Sequence, residues 1–245
     1  MPVIEISNLR KAYGDTVAVS DVSFTVDSGE IFGILGPNGA GKTTTVELLS
    51  GLRRHDGGAV RVLGKDPDRD GAALRELVGV QLQESELPER ILVREALELY
   101  SSFYRAPADW RELLDVLGLS ARRNARFGTL SGGQKQRLSI ALALVGDPQV
   151  AVLDELTTGL DPAARRETWA LIESVRNRGV TVVLVTHFMD EAERLCDRVA
   201  VIDGGRTVAV DTPAALVAKV QADRGLDRAT LEDAYLALTG HEIGV

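Results

Sequence analysis

Gly36-Pro37-Asn38-Gly39-Ala40-Gly41-Lys42-Thr43 fits the spacing G-x-x-x-x-G-K-[ST] of a phosphate-binding loop. Glycines let the backbone wrap an anion so that several N–H groups point inward. In that pattern Lys42 reaches the β- and γ-phosphates of a nucleotide and the Thr43 hydroxyl is a ligand for Mg²⁺. The flanks agree. The apolar run 31–35 stands before the loop and a helix-like run, 43–52, follows it. This strand–loop–helix order seats phosphates on a helix N-terminus. A nucleotide site follows from this stretch; what is done with the nucleotide has to come from the rest of the chain.

The 245 residues allow one large domain, or one domain with a subdomain. Hydrophobic residues make up 44% and charged residues 26%, which is ordinary for a globular protein and enough for a sizeable core. No apolar run approaches the roughly 18 residues of a membrane-spanning helix. The first residues, MPVIEISNLRKAYGD, lack the basic-then-apolar order of a signal peptide. A single cysteine, Cys196, excludes an internal disulfide and fits a reducing compartment; it reads as a small, partly buried apolar side chain. Three histidines and one cysteine leave no ligand cluster for structural zinc. The net charge of −8 argues against a general nucleic-acid surface, so no nucleic-acid partner is expected.

Along the chain, 3–6 and 17–26 show short β-type patterns around a turn-rich joint at 11–15. After the phosphate-loop helix come a turn at 55–58, a strand at 59–63, a short helix at 72–77 and a strand at 78–82. From 84 to 147 the character changes to helical spacing (93–104, 108–117, 131–145), punctuated by Pro88, Pro107 and Gly118. Alternation then resumes with strand 150–153, helix 162–177, strand 180–185 and helix 189–196. Strands 199–202 and 207–210 flank Asp203-Gly204-Gly205-Arg206, a strong hairpin turn. Helices at 213–220 and 229–239 end the chain; in the last, Leu231, Tyr235 and Leu238 share one face.

Strand 150–153 runs into Asp154-Glu155. Beside a phosphate loop, acids at the end of a buried strand suit two tasks. Asp154 can hold Mg²⁺, and Glu155 can act on the attacking water as a general base. A strand ending in a solvated acidic turn has the same local pattern, so the pairing with the phosphate loop carries the argument. Just ahead stands Leu130-Ser131-Gly132-Gly133-Gln134, followed by Lys135-Gln136-Arg137. Ser131 and two glycines at a helix start make an anion site, although a simple helix cap gives the same pattern.

Taken in order, these motifs resemble the ATPase subunits of ABC transporters, over essentially residues 3–240. The resemblance implies an α/β fold: a P-loop NTPase (ABC ATPase) core with an antiparallel β subdomain and an inserted α-helical subdomain. Residues 1–83 and 148–211 would form the β subdomain and RecA-like core. Residues 84–147 would form the helical subdomain with the signature, and 212–245 a helical tail. The implied cofactors are ATP and Mg²⁺. Nucleotide contacts would come from Gly36, Pro37, Asn38, Gly39, Ala40, Gly41, Lys42, Thr43 and Thr44, with Tyr13 stacking on the adenine. Ser131, Gly132, Gly133, Gln134 and the D-loop residue Asp161 would contact ATP held by a second subunit, in a head-to-tail homodimer. Asp161 followed by Pro162 also reads as an ordinary helix cap. Catalysis would rest on Glu155, His187 and Gln83, and the metal on Thr43, Gln83 and Asp154. The family usually has proline after the catalytic glutamate; Leu156 stands here, which leaves φ and one N–H free and predicts a looser loop.

Segments 157–162, 186–193 and 231–240 resemble the branch that exports drugs, antibiotics, lipids or polysaccharides through a separate membrane permease. Such a subunit would sit on the cytoplasmic face of the cell membrane, bound through the permease. An importer subunit has a similar core. A DNA-repair member would carry long heptad insertions, and a ribosome-acting one two cassettes with a basic linker; neither feature appears in this sequence.

Overall fold

The computed structural model describes residues 1–82, 87–225 and 227–240. In chain order the elements are β1 (Pro2–Tyr13), β2 (Thr16–Asp27), β3 (Ile31–Leu35), α1 (Lys42–Leu49), β4 (Gly57–Val62), α2 (Gly71–Arg75) and β5 (Val78–Gln81). Next come α3 (Val93–Ser101), α4 (Trp110–Val116), α5 (Gly132–Leu144), β6 (Val150–Asp154), α6 (Pro162–Asn177), β7 (Thr181–Thr186) and α7 (Met189–Leu195). The chain closes with β8 (Arg198–Asp203), β9 (Arg206–Asp211), α8 (Pro213–Arg224) and α9 (Leu231–Thr239).

Two compact units result: Met1–Leu74 with Val183–Val245, and Arg75–Val182. In the first, strands follow the order β4-β1-β2-β9-β8-β3. The pairs β1–β2 and β1–β4 are antiparallel, whereas β3 runs parallel to β8. That difference is written in the sequence. β1 as far as Ile6 and β2 from Val22 onward alternate buried and less buried positions, as one-sided strands do, while every residue of β3 is buried. The core of this unit gathers Ile4, Leu9, Val22, Val26, Phe32, Ile34 and Leu49, all fully buried. α8 and α9 begin at Thr212 and Thr230, whose side chains accept the N–H groups of Ala215 and Asp233. Of the face read for α9, Leu231 and Tyr235 are buried together with Ala234, whereas Leu238 is only half-buried.

In the second unit β5 and β6 are parallel neighbours, with Val78 opposite Val150 and Gln81 opposite Leu153. α5 packs on β5 closely enough that a Cβ at Gly79 would stand 1.8 Å from the Ala143 carbonyl oxygen. Antiparallel bonds join the entry to α3 with the approach to α5: Val93 N–H to Ala125 C=O at 3.0 Å and Phe127 N–H to Ile91 C=O at 2.9 Å.

One boundary differs from the sequence reading. β1 continues through the stretch read as a joint, and the turn is Gly14-Asp15 alone. Register shifts between Ile6 and Leu9, Leu9 and Lys11, and Lys11 and Ala12 break the two-residue alternation that marks a strand in sequence. Tyr13 therefore stands at the end of a paired strand, opposite Thr16.

Candidate active site

The loop between β3 and α1 is shaped by close backbone approach. A Cβ at Gly36 would lie 2.3 Å from the Ile202 carbonyl oxygen, and one at Gly41, where φ is +96°, 2.4 Å from that of Ala18. No other residue type fits either place. Ala40 N–H bonds the Pro37 carbonyl at 3.1 Å, and the Ala40 carbonyl accepts the Gly205 N–H at 3.1 Å. Gly205 sits in the β8–β9 turn, and its own carbonyl accepts Ser20 N–H at 2.8 Å and Asp21 N–H at 3.0 Å. The turn thus braces the loop from behind. The Asp-Gly-Gly signal revealed the hairpin but not this role, which needs tertiary contact.

Lys42 is 5% exposed, and its ammonium donates to the carbonyls of Gly36 at 2.8 Å and Pro37 at 3.1 Å. The charge is thereby held inside its own loop. α1 starts on Gly41 with no side-chain cap and no acid in its first turn, so the helix itself places no carboxylate among its N-terminal N–H groups. Asn38 and Gly39 are exposed, as are Thr43 and, in part, Thr44. In the same unit, His187 follows β7 directly and its ring lies against Phe188, with centroids 4.2 Å apart.

In the second unit Asp154 ends β6 and is 1% exposed. Its N–H donates to Gln81 Oε1 at 3.3 Å, while Gln81 Nε2 bonds the Leu82 carbonyl at 2.8 Å. A buried glutamine strut therefore steadies the acid-bearing strand end; the only sequence signal was a polar residue closing an apolar run. Glu155 has φ +49°, the left-handed region that non-glycine residues seldom occupy, and such strain gathers at functional sites. Leu156 is fully buried and Leu160 N–H bonds the Thr157 carbonyl at 3.2 Å. Where the family usually has proline, the loop carries a fully buried leucine side chain. Gln83 lies outside the described residues.

The signature begins α5. Ser131 is the N-cap: its Oγ accepts the Gln134 N–H at 3.3 Å, and Gln134 Oε1 accepts the Ser131 N–H at 3.1 Å. Beside it Asp161 caps α6, accepting Ala163 N–H at 2.9 Å and Ala164 N–H at 3.1 Å. The Ala164 and then the Ala163 N–H hold this carboxyl below its ordinary range. Its capping is thus present at neutral pH and is lost as pH falls through that lowered value. Both caps line a cavity of about 370 Å³, together with Gly132, Gly133 and Gly159. Arg137, on the same wall, pairs with Glu167 of α6 and donates to the Leu117 carbonyl at 3.4 Å. The two signature glycines are unlike those of the phosphate loop. Among the described residues, a Cβ at Gly132 would meet nothing nearer than Leu160 at 3.8 Å, and one at Gly133 nothing nearer than Ala164 at 3.5 Å. Packing among the described residues does not require glycine there.

In the first unit a phosphate cradle between a buried strand and a helix has the form of a P-loop, and in the second unit an acid pair follows a parallel strand, the two parts of the P-loop ATPase class. A model described as ABC transporter matches residues 19–158. The chain is 44% identical over 253 aligned residues to the Nod factor export ATP-binding protein I of Burkholderia lata, covering 98% of this chain and 83% of that protein. Among solved structures, an ATP-binding subunit of an ABC transporter has a TM-score of 0.83 at 28% identity, covering 96% of this chain and 99% of that one. The dimeric structure of a bacterial ABC transporter cassette has a TM-score of 0.74 at 27% identity, covering 85% and 98%. The chain belongs to the ABC transporter family. It is an ATP-binding subunit with the α/β cassette fold, and its chemistry is ATP hydrolysis.

Proposed function

We propose that this subunit powers export of a drug, antibiotic, lipid or polysaccharide through a separate membrane permease, as one half of a head-to-tail homodimer. The observation that carries the dimer is the signature cavity. Glycines 132 and 133 line the cavity beside the Ser131 cap, yet packing among the described residues does not call for glycine at either place. A phosphate brought by a second copy would use that room. Export is favoured over import because a 44%-identical relative is named for the export of Nod factor. No described helix is long and apolar enough to cross a membrane; on this reading a separate permease supplies the path and holds the subunit at the cytoplasmic face.

Each residue then has a task. The cradle from Gly36 to Thr44 binds the triphosphate, with Lys42 neutralising its charge, and Tyr13 stacks on the base. Thr43 and Asp154 offer hydroxyl and carboxylate oxygens, the hard donors that Mg²⁺ takes, and Gln83 completes the donor set. When bound, Mg²⁺ neutralises charge on the phosphates. Glu155 orients the attacking water and accepts its proton, and His187 contacts the γ-phosphate. Ser131, Gly132, Gly133, Gln134 and Asp161 cover the ATP of the partner. ATP thereby stabilises the closed pair only while its γ-phosphate is present, and hydrolysis releases it.

Glu155→Gln keeps the shape and removes the base. ATP turnover should fall by roughly 10²- to 10⁴-fold with ATP affinity intact. Steady-state hydrolysis and nucleotide titration check this; near-normal turnover would overturn the role of Glu155.

A further inference from the structure

Tyr13 is 40% exposed, and two cations stand over its ring: Lys11 Nζ at 5.5 Å and Arg53 Cζ at 5.4 Å from the centroid. Both lie within cation–π range. Each is anchored by a carboxylate of its own. Lys11 Nζ donates to Asp56 Oδ1 at 2.9 Å, and Arg53 pairs with Glu47 of α1. Asp56 also accepts the Ala12 N–H at 2.8 Å through its other oxygen, and its own N–H bonds the Arg10 carbonyl at 2.8 Å. The segment after α1, just before β4 pairs with β1, is therefore stitched to the end of β1, and this brings Arg53 and Tyr13 together across 40 residues of sequence. α1 itself starts in the phosphate cradle and, with eight residues, runs about 12 Å toward Arg53, a span comparable with a nucleoside triphosphate.

We propose that Arg53 and Lys11 are positioning residues for the nucleotide base: they fix the Tyr13 ring at the correct distance from the cradle, so that a purine stacks on a ring already oriented. This rests on the reading of Tyr13 as the base-stacking residue. It adds that the recognition of the base is built by an Arg–Tyr–Lys group and not by one aromatic side chain. Holding the ring in place before binding lowers the ordering cost of the complex. The effect belongs to base binding, since neither cation is needed for the phosphates.

The test compares ATP with inorganic tripolyphosphate, which has the phosphates and no base. Dissociation constants for both are measured by calorimetry in wild type, Tyr13→Ala, Arg53→Ala and Arg53→Lys, with kcat and KM for ATP alongside. Arg53→Ala should weaken ATP about two- to fivefold, as an exposed cation–π contact implies, and raise KM with kcat unchanged. Tripolyphosphate affinity should stay the same, and Arg53→Lys should recover most of the loss. If Tyr13→Ala leaves ATP affinity unchanged, the base-stacking reading itself fails. If Tyr13→Ala weakens ATP and Arg53→Ala does not, only the bracket fails. Equal weakening of both ligands by Arg53→Ala would reduce Arg53 to a general positive charge and overturn the proposal. Tighter ATP binding in that variant would also overturn it, because the guanidinium would then occupy the face the base needs.

Discussion

Gly36 and Gly133 belong to two glycine motifs that look alike in sequence and differ in cause. Gly36 is demanded by the fold, since any Cβ there strikes the Ile202 carbonyl oxygen at 2.3 Å. Gly133 faces ordinary van der Waals room, with Ala164 at 3.5 Å. Alanine is also the better helix former by up to about 1 kcal/mol. Gly133→Ala should therefore melt at or slightly above the wild-type temperature while losing ten-fold or more of its ATP turnover. A thermal melt and a steady-state assay separate the two effects, and full turnover in that variant would sink the phosphate-facing role. Glu155 teaches a related lesson. The residue type and its place after an apolar strand were legible, but its φ of +49° was not, because that conformation is imposed by the surrounding chain.

Among elements, the β8–β9 hairpin has more to do with the site than its distance in sequence suggests. Its Gly205 bonds the phosphate loop through Ala40 and bonds β2 through Ser20 and Asp21. Gly205 has φ +74°, and a Cβ there would lie 2.9 Å from the Ala18 carbonyl oxygen. Gly205→Ala should cost on the order of 1–3 kcal/mol in backbone strain and weaken ATP binding several-fold by loosening the loop. Calorimetry against ATP and a denaturant melt would check both. A destabilised variant that binds ATP normally would show that the hairpin supports the fold without supporting the cradle. β1 shows where element reading failed: bulges past Ile6 erased the alternation, so the strand carrying Tyr13 was read as a joint.

At the scale of the molecule, the proposed dimer makes activity depend on concentration. One chain carries one phosphate loop and one signature, so a monomer should bind ATP and hydrolyse it poorly. Turnover per subunit should rise with protein concentration until the dimer is saturated. Sedimentation run beside the assay would show whether the rise tracks dimer formation; a constant rate per subunit in a proven monomer would refute the shared site.

The ordered motifs, the class of fold and most element positions were determined by the sequence alone. They rest on short-range physics: fully apolar runs for buried strands, helical spacing, a cap such as Asp161, and glycines at turns. Only the tertiary structure decided which glycines the chain needs for itself, how Gly205 and Gln81 brace the reacting groups, and that Arg53 and Lys11 share the ring of Tyr13. Those are contacts between residues far apart in the chain. No local pattern encodes them, because their cause is the packing of one element on another.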